Sequence, residues 1–317
     1  MNVALSIFRA LADPTRLRIM VLVRHLELAV GELAQLLGQS QPRVSRHIKI
    51  LADAGLLRRA KEGAWVFVRL GDAAFAGPVL AALDAWGVEA ADDLARLAVV
   101  RAERNAAATA YFAAHAAQWD GIRSLHVADS EVEAAIVRAI GTQPVGDLLD
   151  IGTGTGRIIE VLGPAATSAI GIDRSPEMLR LARGKLEAAG LAHAEVRHAD
   201  MYALPRSDHS ADTVILHQVL HFADSPAAAL AEAARVLRPG GRLLVVDFAP
   251  HDREDMRADH AHVRLGFADA LVCDWLAAAG LRARVVEHLA AGSSVAAPLT
   301  VTVWQGERPA AEQRFAA

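Results

Sequence analysis

The sequence is poor in cysteine and has no long hydrophobic run. Cys273 is the one cysteine in 317 residues, which excludes an internal disulfide and a cysteine-based zinc cluster. The longest uncharged stretch, Leu289 to Gly306, is interrupted by glycine, serine and proline, whereas a membrane-spanning helix needs about 20 consecutive apolar residues. The segment from Met1 to Ser6 lacks the basic region before an apolar one that marks a secretory leader. We therefore expect a cytoplasmic protein that does not enter a membrane.

Composition and charge indicate two folded domains with different partners. A chain of 317 residues is long enough for about two domains, and 53% hydrophobic against 22% charged residues indicates folded cores. Up to residue 87 the sequence has 11 Lys and Arg against 7 Asp and Glu, a net charge of +4. The remainder has 22 against 30, a net charge of −8. This asymmetry predicts that the N-terminal part binds a polyanion and that the rest binds something smaller.

Residues 1–87 have the pattern of a winged helix-turn-helix domain. A short amphipathic helix over Glu32 to Leu37 ends at Gly38, and Ser40-Gln41-Pro42 reads as the cap and first turn of a second helix. Leu57 to Leu70 then alternates as two strands around a turn at Lys61-Glu62-Gly63. Two helices joined by a tight turn and followed by a hairpin predict a DNA-binding domain.

The expected DNA contacts come from the second helix and the hairpin. The polar face of the helix is rich in Arg, Lys, Gln and Ser, which bond base edges and phosphates, and the hairpin adds basic residues at its tip. The alternative is that these charges only form a solvated helix face. We predict that the DNA-binding residues are Ser40, Gln41, Arg43, Ser45, Arg46, His47 and Lys49 on the helix, and Arg58, Arg59 and Lys61 on the hairpin.

Two stretches of this region resemble the ArsR/SmtB family of bacterial repressors. They are Phe8 to Arg18 (FRALADPTRLR) and Gln39 to His47 (QSQPRVSRH), and the resemblance covers residues 4 to 85. It implies a homodimer that is formed by the first helix and the helix after the hairpin. It also implies that this dimer binds a palindromic operator in double-stranded DNA.

The sequence departs from this family at the positions that sense metals. Arsenic-sensing members carry thiolates on the helix before the recognition helix, and the corresponding residues here are Ala29, Gly31 and Ala34. The helix after the hairpin has Asp84 without a histidine at ligand spacing. We therefore expect no metal cofactor and a signal that enters elsewhere in the chain.

Residues 88–110 predict an alanine-rich helical connector, and the pattern changes beyond it. From residue 111 to residue 317 apolar strand candidates alternate with helical stretches, which is typical of a parallel sheet with helices on both faces. The expected fold class is therefore α/β. The strand candidates are Asp147–Ile151, Ala169–Ile172, Ala194–Arg197, Thr213–Leu216, Arg242–Asp247, Arg282–His288 and Leu299–Trp304.

A glycine-rich turn follows the first of these strands. Gly152, Gly154 and Gly156 come directly after a buried strand that carries Asp150, and glycines let the backbone approach a ligand closely. The next strand ends at Asp173, where an acidic side chain accepts both hydroxyls of a ribose. A site for NAD is the main alternative, but its third glycine would fall at Arg157.

This form of the loop resembles class I S-adenosylmethionine-dependent methyltransferases of the type 11-like kind, over residues 108 to 306. The resemblance implies a Rossmann-like methyltransferase fold with a mostly parallel seven-stranded sheet, and S-adenosylmethionine or S-adenosylhomocysteine as ligand. It places the ribose at Asp173, the adenine amine at Asp200 and the ligand face of strand four at His217. Tyr111 either bonds the methionyl carboxylate or packs under a lid. The cofactor-binding set is Tyr111, Asp150, Gly152, Gly154, Gly156, Asp173, Arg174, Asp200, Met201 and His217.

Three histidines lie after strand five, where this fold usually builds its acceptor pocket. They are His251, His260 and His262, and we expect them to form a polar pocket wall or surface. Their spacing also permits a metal site, but it lacks a compelling carboxylate–histidine pattern.

Two functions fit these features. The first is a transcriptional regulator whose methyltransferase-like domain senses the ligand. Fusions of this type resemble repressors that control methionine-cycle genes, so the resemblance implies that role here. The second is a working methyltransferase with a fused DNA-binding domain, in which His217, His221 or Asp247 is the base. Arsenite is set aside as the acceptor because the chain has a single cysteine. DNA bases are set aside because His217-Gln218-Val219-Leu220 is not the loop that DNA methyltransferases carry.

Overall fold

The computed structural model describes residues 2–88, 90–123, 128–290 and 299–310. The chain divides into two compact units, Met1–Ala106 and Ala107–Ala317. The division falls inside one helix, Ala91–His115, so most of the expected connector belongs to the first unit. Among the helices of the described residues, none is both long and apolar enough to cross a membrane.

The first unit is a helix-turn-helix with an antiparallel hairpin behind it. Its three strands pair in the order β1-β3-β2, and Lys61 lies opposite Val66 next to the hairpin turn. The elements are α1 (Asn2–Leu11), α2 (Pro14–His25), β1 (Leu28–Ala29), α3 (Val30–Leu37), α4 (Gln41–Asp53), β2 (Leu57–Glu62), β3 (Trp65–Leu70), α5 (Ala73–Ala85) and α6 (Ala91–His115).

Local signals in the sequence explain where these helices begin and end. The Asp13 side chain accepts the backbone N–H groups of Thr15 at 2.8 Å and Arg16 at 3.2 Å, which caps α2. Gly38 ends α3 in the left-handed conformation, with a φ of 63°. Ser40 occupies the N-cap position of α4, but its side chain makes no capping hydrogen bond within the described residues.

The second unit is a twisted sheet with helices on both faces. Its helices are α7 (Trp119–Arg123), α8 (Asp129–Ile140), α9 (Arg157–Leu162), α10 (Pro176–Ala188), α11 (Pro226–Val236), α12 (Asp255–His260) and α13 (Asp269–Ala278). Short 3-10 turns occur at Ala116–Gln118, Gly163–Ala165 and Leu220–Phe222. Its strands are β4 (Gly146–Ile151), β5 (Ala166–Asp173), β6 (Ala194–His198), β7 (Ala211–His217), β8 (Leu237–Phe248), β9 (Arg282–Ala290) and β10 (Thr300–Glu307).

The strand order places a ligand site at one edge of this sheet. The order is β6-β5-β4-β7-β8-β10-β9, parallel except where β10 runs antiparallel to both β8 and β9. The direction of winding reverses between β4 and β7, and ligands of open α/β sheets bind outside the carboxyl ends of strands at such a point. Leu148 and Leu149 are both buried, in separate core clusters, so both faces of β4 are covered. The expected α/β fold with a mostly parallel seven-stranded sheet is confirmed.

Candidate functional site

The outer face of α4 is exposed, as the sequence predicts. Gln41, Arg43, Ser45 and Arg46 are all exposed, whereas Val44, Ile48 and Leu51 of the same helix are buried. Ser40 is exposed at the start of the helix. The Lys49 ammonium is exposed too, but it lies 2.6 Å from the Asp53 carboxylate one turn later. The face therefore presents amide, hydroxyl and guanidinium donors with one basic group already paired.

His47 does not belong to this face, and that expectation is wrong. Its side chain is 10% exposed, and its Nδ1 lies 3.8 Å from the Asp13 carboxylate. Burial lowers the pKa of His47, so the ring is neutral at pH 7. The residue follows Val44 by three positions and precedes Leu51 by four, which is the spacing of the inner face of a helix.

The basic residues of the hairpin are exposed, but they do not share its tip. Arg58 pairs with Arg69 near the base of the hairpin, and Arg59 pairs with Val68. Lys61 alone of the three is close to the turn, so the expectation of a three-residue basic tip is wrong. Trp65 begins the return strand and is 40% exposed, a feature at the tip that sequence reasoning missed.

Helix α3 contains no thiolate, and its one acidic side chain is used within the domain. Glu32 accepts the backbone N–H of Ala29 at 2.8 Å and forms an ion pair with Arg104. Ala29 and Ala34 are buried. Nowhere in the described ranges do three His, Cys, Asp or Glu side chains come together as a metal ion would require.

The glycine loop after β4 has a shape that side chains would destroy. Gly152, Gly154 and Gly156 all have positive φ, at 72°, 52° and 84°. A Cβ at Gly152 would overlap Val219, and one at Gly154 would lie 3.4 Å from the Trp119 ring nitrogen. The loop therefore presents bare backbone, which is the property a closely approaching ligand needs.

Asp173 ends β5 and fastens this loop. One carboxylate oxygen accepts the backbone N–H of Gly154 at 2.9 Å, and the other accepts that of Ser175 at 2.8 Å. Burial raises the pKa of Asp173. Each carboxylate oxygen has a second lone pair, so the group remains an acceptor for ribose hydroxyls. Arg174, the next residue, is exposed.

Asp150 is buried under the loop with half of its carboxylate unused. Its Oδ2 accepts the hydroxyl of Thr153 at 2.6 Å, and its buried Oδ1 finds no partner among the described residues. Burial raises the pKa of Asp150 to about 7. An unsatisfied buried acceptor is costly, and a ligand donor at this position would satisfy it.

The loop after β6 contains the residues expected at the adenine. Asp200 accepts the backbone N–H of Tyr202 at 3.0 Å, which holds a tight turn, and both Asp200 and Met201 are half-buried. Their carboxylate and thioether are thus partly accessible. Contact with an adenine ring stays a prediction.

His217 ends β7 beside the glycine loop. Ile151 of β4 pairs with Leu216 of β7 in the sheet. Gly152 and His217 are the residues that come directly after this pair on the two neighbouring strands. Burial lowers the pKa of His217 to about 3, helped by the charge of Arg123. Its buried Nε2 has no hydrogen-bond partner in the part of the chain that the structure describes. The ring is therefore neutral and has an unused polar atom at the expected ligand position.

A small cavity lies next to the loop. Its volume is about 30 Å³, and Trp119, which lies over Gly154, forms part of its wall. Tyr111 contributes to the same wall, and its hydroxyl lies 2.9 Å from His260 Nδ1. The full lining is Tyr111, Trp119, Ile122, Arg123, Gln218, His221, Phe222, Phe248, Met256, His260 and His262.

His221 reaches this cavity with Asp247 behind it. The His221 Nδ1 lies 2.7 Å from the Asp247 carboxylate, and the ring of His262 stacks on His221 with centroids 4.0 Å apart. Of the three histidines after strand five, His260 and His262 line the cavity, as expected of a pocket wall. Trp119 was expected from the sequence as part of a cover over the ligand, whereas Arg123 and Phe222 were missed because they lie in a short helix and a 3-10 turn without a motif.

Two family models match separate parts of the chain. Residues 13–59 match the family described as "Bacterial regulatory protein, arsR family". Residues 149–245 match the one described as "Methyltransferase domain". Both resemblances drawn from the sequence are confirmed.

Curated relatives match the two parts as well. The chain is 48% identical over 67 residues to the arsenical resistance operon repressor of Escherichia coli, covering 21% of this chain and 57% of that one. It is 46% identical over 108 residues to a demethylmenaquinone methyltransferase of Thermus thermophilus, covering 32% and 47%. It is 34% identical over 178 residues to an uncharacterized 37.1 kDa protein in a transposon of Streptomyces fradiae, covering 54% and 49%. The chain thus spans about half the length of the curated relatives it matches.

Solved structures resemble the second unit in fold. The YcgJ protein of Bacillus subtilis aligns with a TM-score of 0.52 and 19% identity, over 57% of this chain and 100% of that one. A Haloferax volcanii complex with the Trm112 methyltransferase activator aligns with a TM-score of 0.53 and 21% identity, over 64% and 98%. At a sequence identity of 19% or 21%, the similarity shows a shared fold and nothing more. That fold is the Rossmann-like one expected from the glycine-rich loop.

Proposed function

We propose that this chain, which joins an arsR-family helix-turn-helix domain to a methyltransferase domain, is a transcriptional regulator controlled by a nucleoside ligand. In this proposal the first unit binds double-stranded operator DNA as a homodimer. The second binds S-adenosylmethionine or S-adenosylhomocysteine. The protein is a cytoplasmic repressor, and the genes it controls belong to the methionine cycle.

One observation carries the proposal: the chain that presents the polar face of α4 also has a glycine loop fastened by Asp173. The fit of the ligand is supported by two buried polar atoms without described partners, Asp150 Oδ1 and His217 Nε2. Asp173 would hold the ribose and Asp200 the adenine amine. When bound, S-adenosylmethionine supplies an electrophilic methyl group.

Control of DNA binding requires that the ligand discriminate between two states. A ligand with equal affinity for a DNA-competent and an incompetent arrangement shifts neither population. A coupling of about 1–3 kcal/mol would change operator affinity by roughly 5–150-fold. Because Ala29, Gly31 and Ala34 occupy the positions of the sensing thiolates, at the start of α3 and along it, we assign the signal to the second unit and not to a metal on the first.

Selection of DNA from a random duplex library tests this function. The full chain is used with and without S-adenosylhomocysteine, and we expect enrichment of an inverted repeat whose recovery depends on the ligand. Enrichment of no sequence above background would contradict DNA recognition. Equal recovery in both conditions would contradict ligand control and leave a constitutive DNA-binding protein.

A second candidate function is methyl transfer to a small molecule. It is favoured by the cavity beside Gly154, because His221 and its carboxylate partner Asp247 have the arrangement of an acid–base pair. Regulation and methyl transfer are compatible in one chain.

A further inference from the structure

We propose that His221 is the general base of an acceptor site in the second unit, and that Asp247 is its positioning residue. The acceptor is a hydroxyl or a thiol, whose proton must leave when its oxygen or sulfur is methylated. This inference rests on the second candidate function above, and it concerns residues that lie outside the glycine loop.

The carboxylate of Asp247 is held by three backbone N–H donors and faces the ring of His221. Its Oδ2 accepts the backbone N–H groups of Leu220 at 3.0 Å and His221 at 3.3 Å. Its Oδ1 accepts the backbone N–H of Phe248 at 2.7 Å and faces His221 Nδ1 at 2.7 Å. The other three neighbours of the carboxylate are backbone N–H donors and its oxygens accept, so the geometry assigns the shared proton to His221 Nδ1.

The tautomer follows from this arrangement. With the proton on Nδ1, a neutral His221 has its lone pair on Nε2. The side chains of His221 and Asp247 are 3% and 1% exposed, so bulk water does not compete for the pair. An aspartate that holds a histidine in this way orients the ring and stabilises the imidazolium that forms when it accepts a proton.

The base lies near the place where the methyl group would be supplied. Trp119 covers Gly154 of the glycine loop and also lines the cavity that His221 reaches. Gln218 and Val219 connect the two sites along the chain, since Gln218 lines the cavity and Val219 lies against Gly152. The cavity and the loop therefore share a wall.

His217 is the competing base, and its surroundings disfavour it. Burial lowers its pKa to about 3, so it binds a proton poorly at neutral pH. No carboxylate bonds its ring in the described part of the molecule, and it does not line the cavity. The sequence could not choose between these two histidines; the position of Asp247 does.

The cavity defines the chemical class of the acceptor. A volume of about 30 Å³ is enough for a small reactive group such as a hydroxyl or a thiol. The rings of Trp119, Phe222 and Phe248 in its wall favour an otherwise apolar or flat molecule. The other polar residues that line the cavity with His221 are Arg123, Gln218, Tyr111, His260 and His262.

The proton and electron balance of the step is simple. The acceptor lone pair forms the bond to the methyl carbon, the carbon–sulfur bond pair stays on the sulfonium sulfur, and the acceptor proton moves to His221 Nε2. No oxidant or reductant is needed. Positioned base catalysis of this kind contributes about 10²–10⁴-fold to a rate.

Nitrogen NMR of the wild-type full chain tests the dyad without an assay of activity. With ¹⁵N-labelled histidine and S-adenosylhomocysteine present at pH 8, we expect His221 to carry its proton on Nδ1 and a lone pair on Nε2. The resonances of His221 are identified as the signals that are missing from the spectrum of the His221→Gln protein. In Asp247→Asn the side-chain amide has one accepting oxygen and one donating NH₂ group, so it cannot accept on both sides as the carboxylate does. The His221 ring should therefore shift away from the tautomer that has its proton on Nδ1. A wild-type ring with its proton on Nε2 would overturn the proposal.

Methyl transfer to phenol and to 2-mercaptoethanol, chosen as hydroxyl and thiol probes, tests the acceptor class. His221→Gln should slow transfer by about 10²–10⁴-fold. Imidazole should restore activity to His221→Ala, which a purely structural role would not allow. His288→Gln, a change at a half-exposed histidine on β9, is the control and should transfer at the wild-type rate. Methylation of neither probe by the wild type would overturn the acceptor class, and a wild-type rate in His221→Gln would overturn the base.

The failure of this inference differs from the failure of the proposed function. Calorimetry with S-adenosylhomocysteine and operator binding are measured on the same His221→Gln protein. Both should match the wild type if His221 acts only on an acceptor. Absence of S-adenosylhomocysteine binding to the wild type would instead refute the ligand site, whatever the state of His221.

Discussion

The carboxylate of Asp173 accepts the backbone N–H of Gly154 at 2.9 Å, so the acid expected at the ribose also fastens the glycine loop. Asp173 is the last residue of β5, and Gly154 lies in the loop that follows the neighbouring parallel strand, β4. One side chain thus sets the shape of the loop and remains an acceptor for ligand hydroxyls. Both the ligand affinity and the geometry of the loop should therefore depend on the Asp173 side chain.

Replacing Asp173 with Ala should weaken the binding of S-adenosylhomocysteine at least tenfold. Hydrogen bonds to charged groups contribute about 1.5–3 kcal/mol, and the Gly154 N–H loses its partner as well. Calorimetry gives the affinity, and ligand-free DNA binding should survive because the change lies in the second unit. A wild-type affinity in the Ala variant would remove Asp173 from the site.

Replacing Arg46 with Ala should weaken operator binding by about 1–3 kcal/mol and relax specificity at one base pair, if the guanidinium reads a base. If it contacts phosphate, the loss should be similar on all sequences, with a shallower dependence on salt. Fluorescence anisotropy over a salt series separates the two outcomes. Lys49→Ala is the matched control, and it should have a smaller effect because Lys49 is already paired with Asp53. Unchanged binding by a folded Arg46→Ala protein would exclude the residue.

Asp150 should make the stability of the second unit depend on pH. Its folded-state pKa of about 7 exceeds its ordinary value of 3.8, so the folded state binds the proton more tightly than the unfolded state. The associated stability is fully present below the ordinary value and is lost as the pH rises through about 7. Each unit of pKa difference corresponds to about 1.4 kcal/mol.

Asp150→Asn tests this dependence, because the amide keeps an acceptor for Thr153 and cannot ionise. Urea denaturation without ligand should show that the variant gains stability relative to the wild type as the pH rises from about 4 to 8. Parallel pH profiles for the two proteins would show that Asp150 does not titrate with folding.

Arsenite, cadmium or zinc should not release the protein from its operator. Soft metals and metalloids select sulfur ligands, and the positions of the sensing thiolates are occupied by Ala29 just before α3 and by Gly31 and Ala34 within it. Electrophoretic mobility shift with micromolar metal measures the response, with a chelator added afterwards. Release that the chelator reverses would contradict this prediction.

Much of the fold could be predicted because its signals are local. Each of these signals acts over a few residues. They are Asp13 and the proline at the start of α2, Gly38 at the end of α3, and the alternating pattern of the hairpin. The error at His47 was avoidable, since its spacing from Val44 and Leu51 is that of the buried face. The placement of Arg58 at the tip was wrong although the turn itself was predicted, because Arg58 is the second residue of β2 and pairs with Arg69 near the base of the hairpin.

The dyad could not be predicted, because its members meet only in the folded sheet. His221 and Asp247 are 26 residues apart, one in a 3-10 turn and the other near the end of β8. They come together because β7 and β8 are neighbouring parallel strands. Both residues were candidate bases in the sequence, but nothing in their spacing indicates that they form one unit.

Coupling between ligand binding and DNA binding is best measured as the affinity for S-adenosylhomocysteine with and without saturating operator. Coupling free energies are reciprocal, so operator must change ligand affinity by the same factor by which ligand changes operator affinity. We predict equal factors within the range of roughly 5–150-fold, and their loss in Asp173→Ala. Tight ligand binding with the same dissociation constant in both conditions would contradict the account and leave two independent domains.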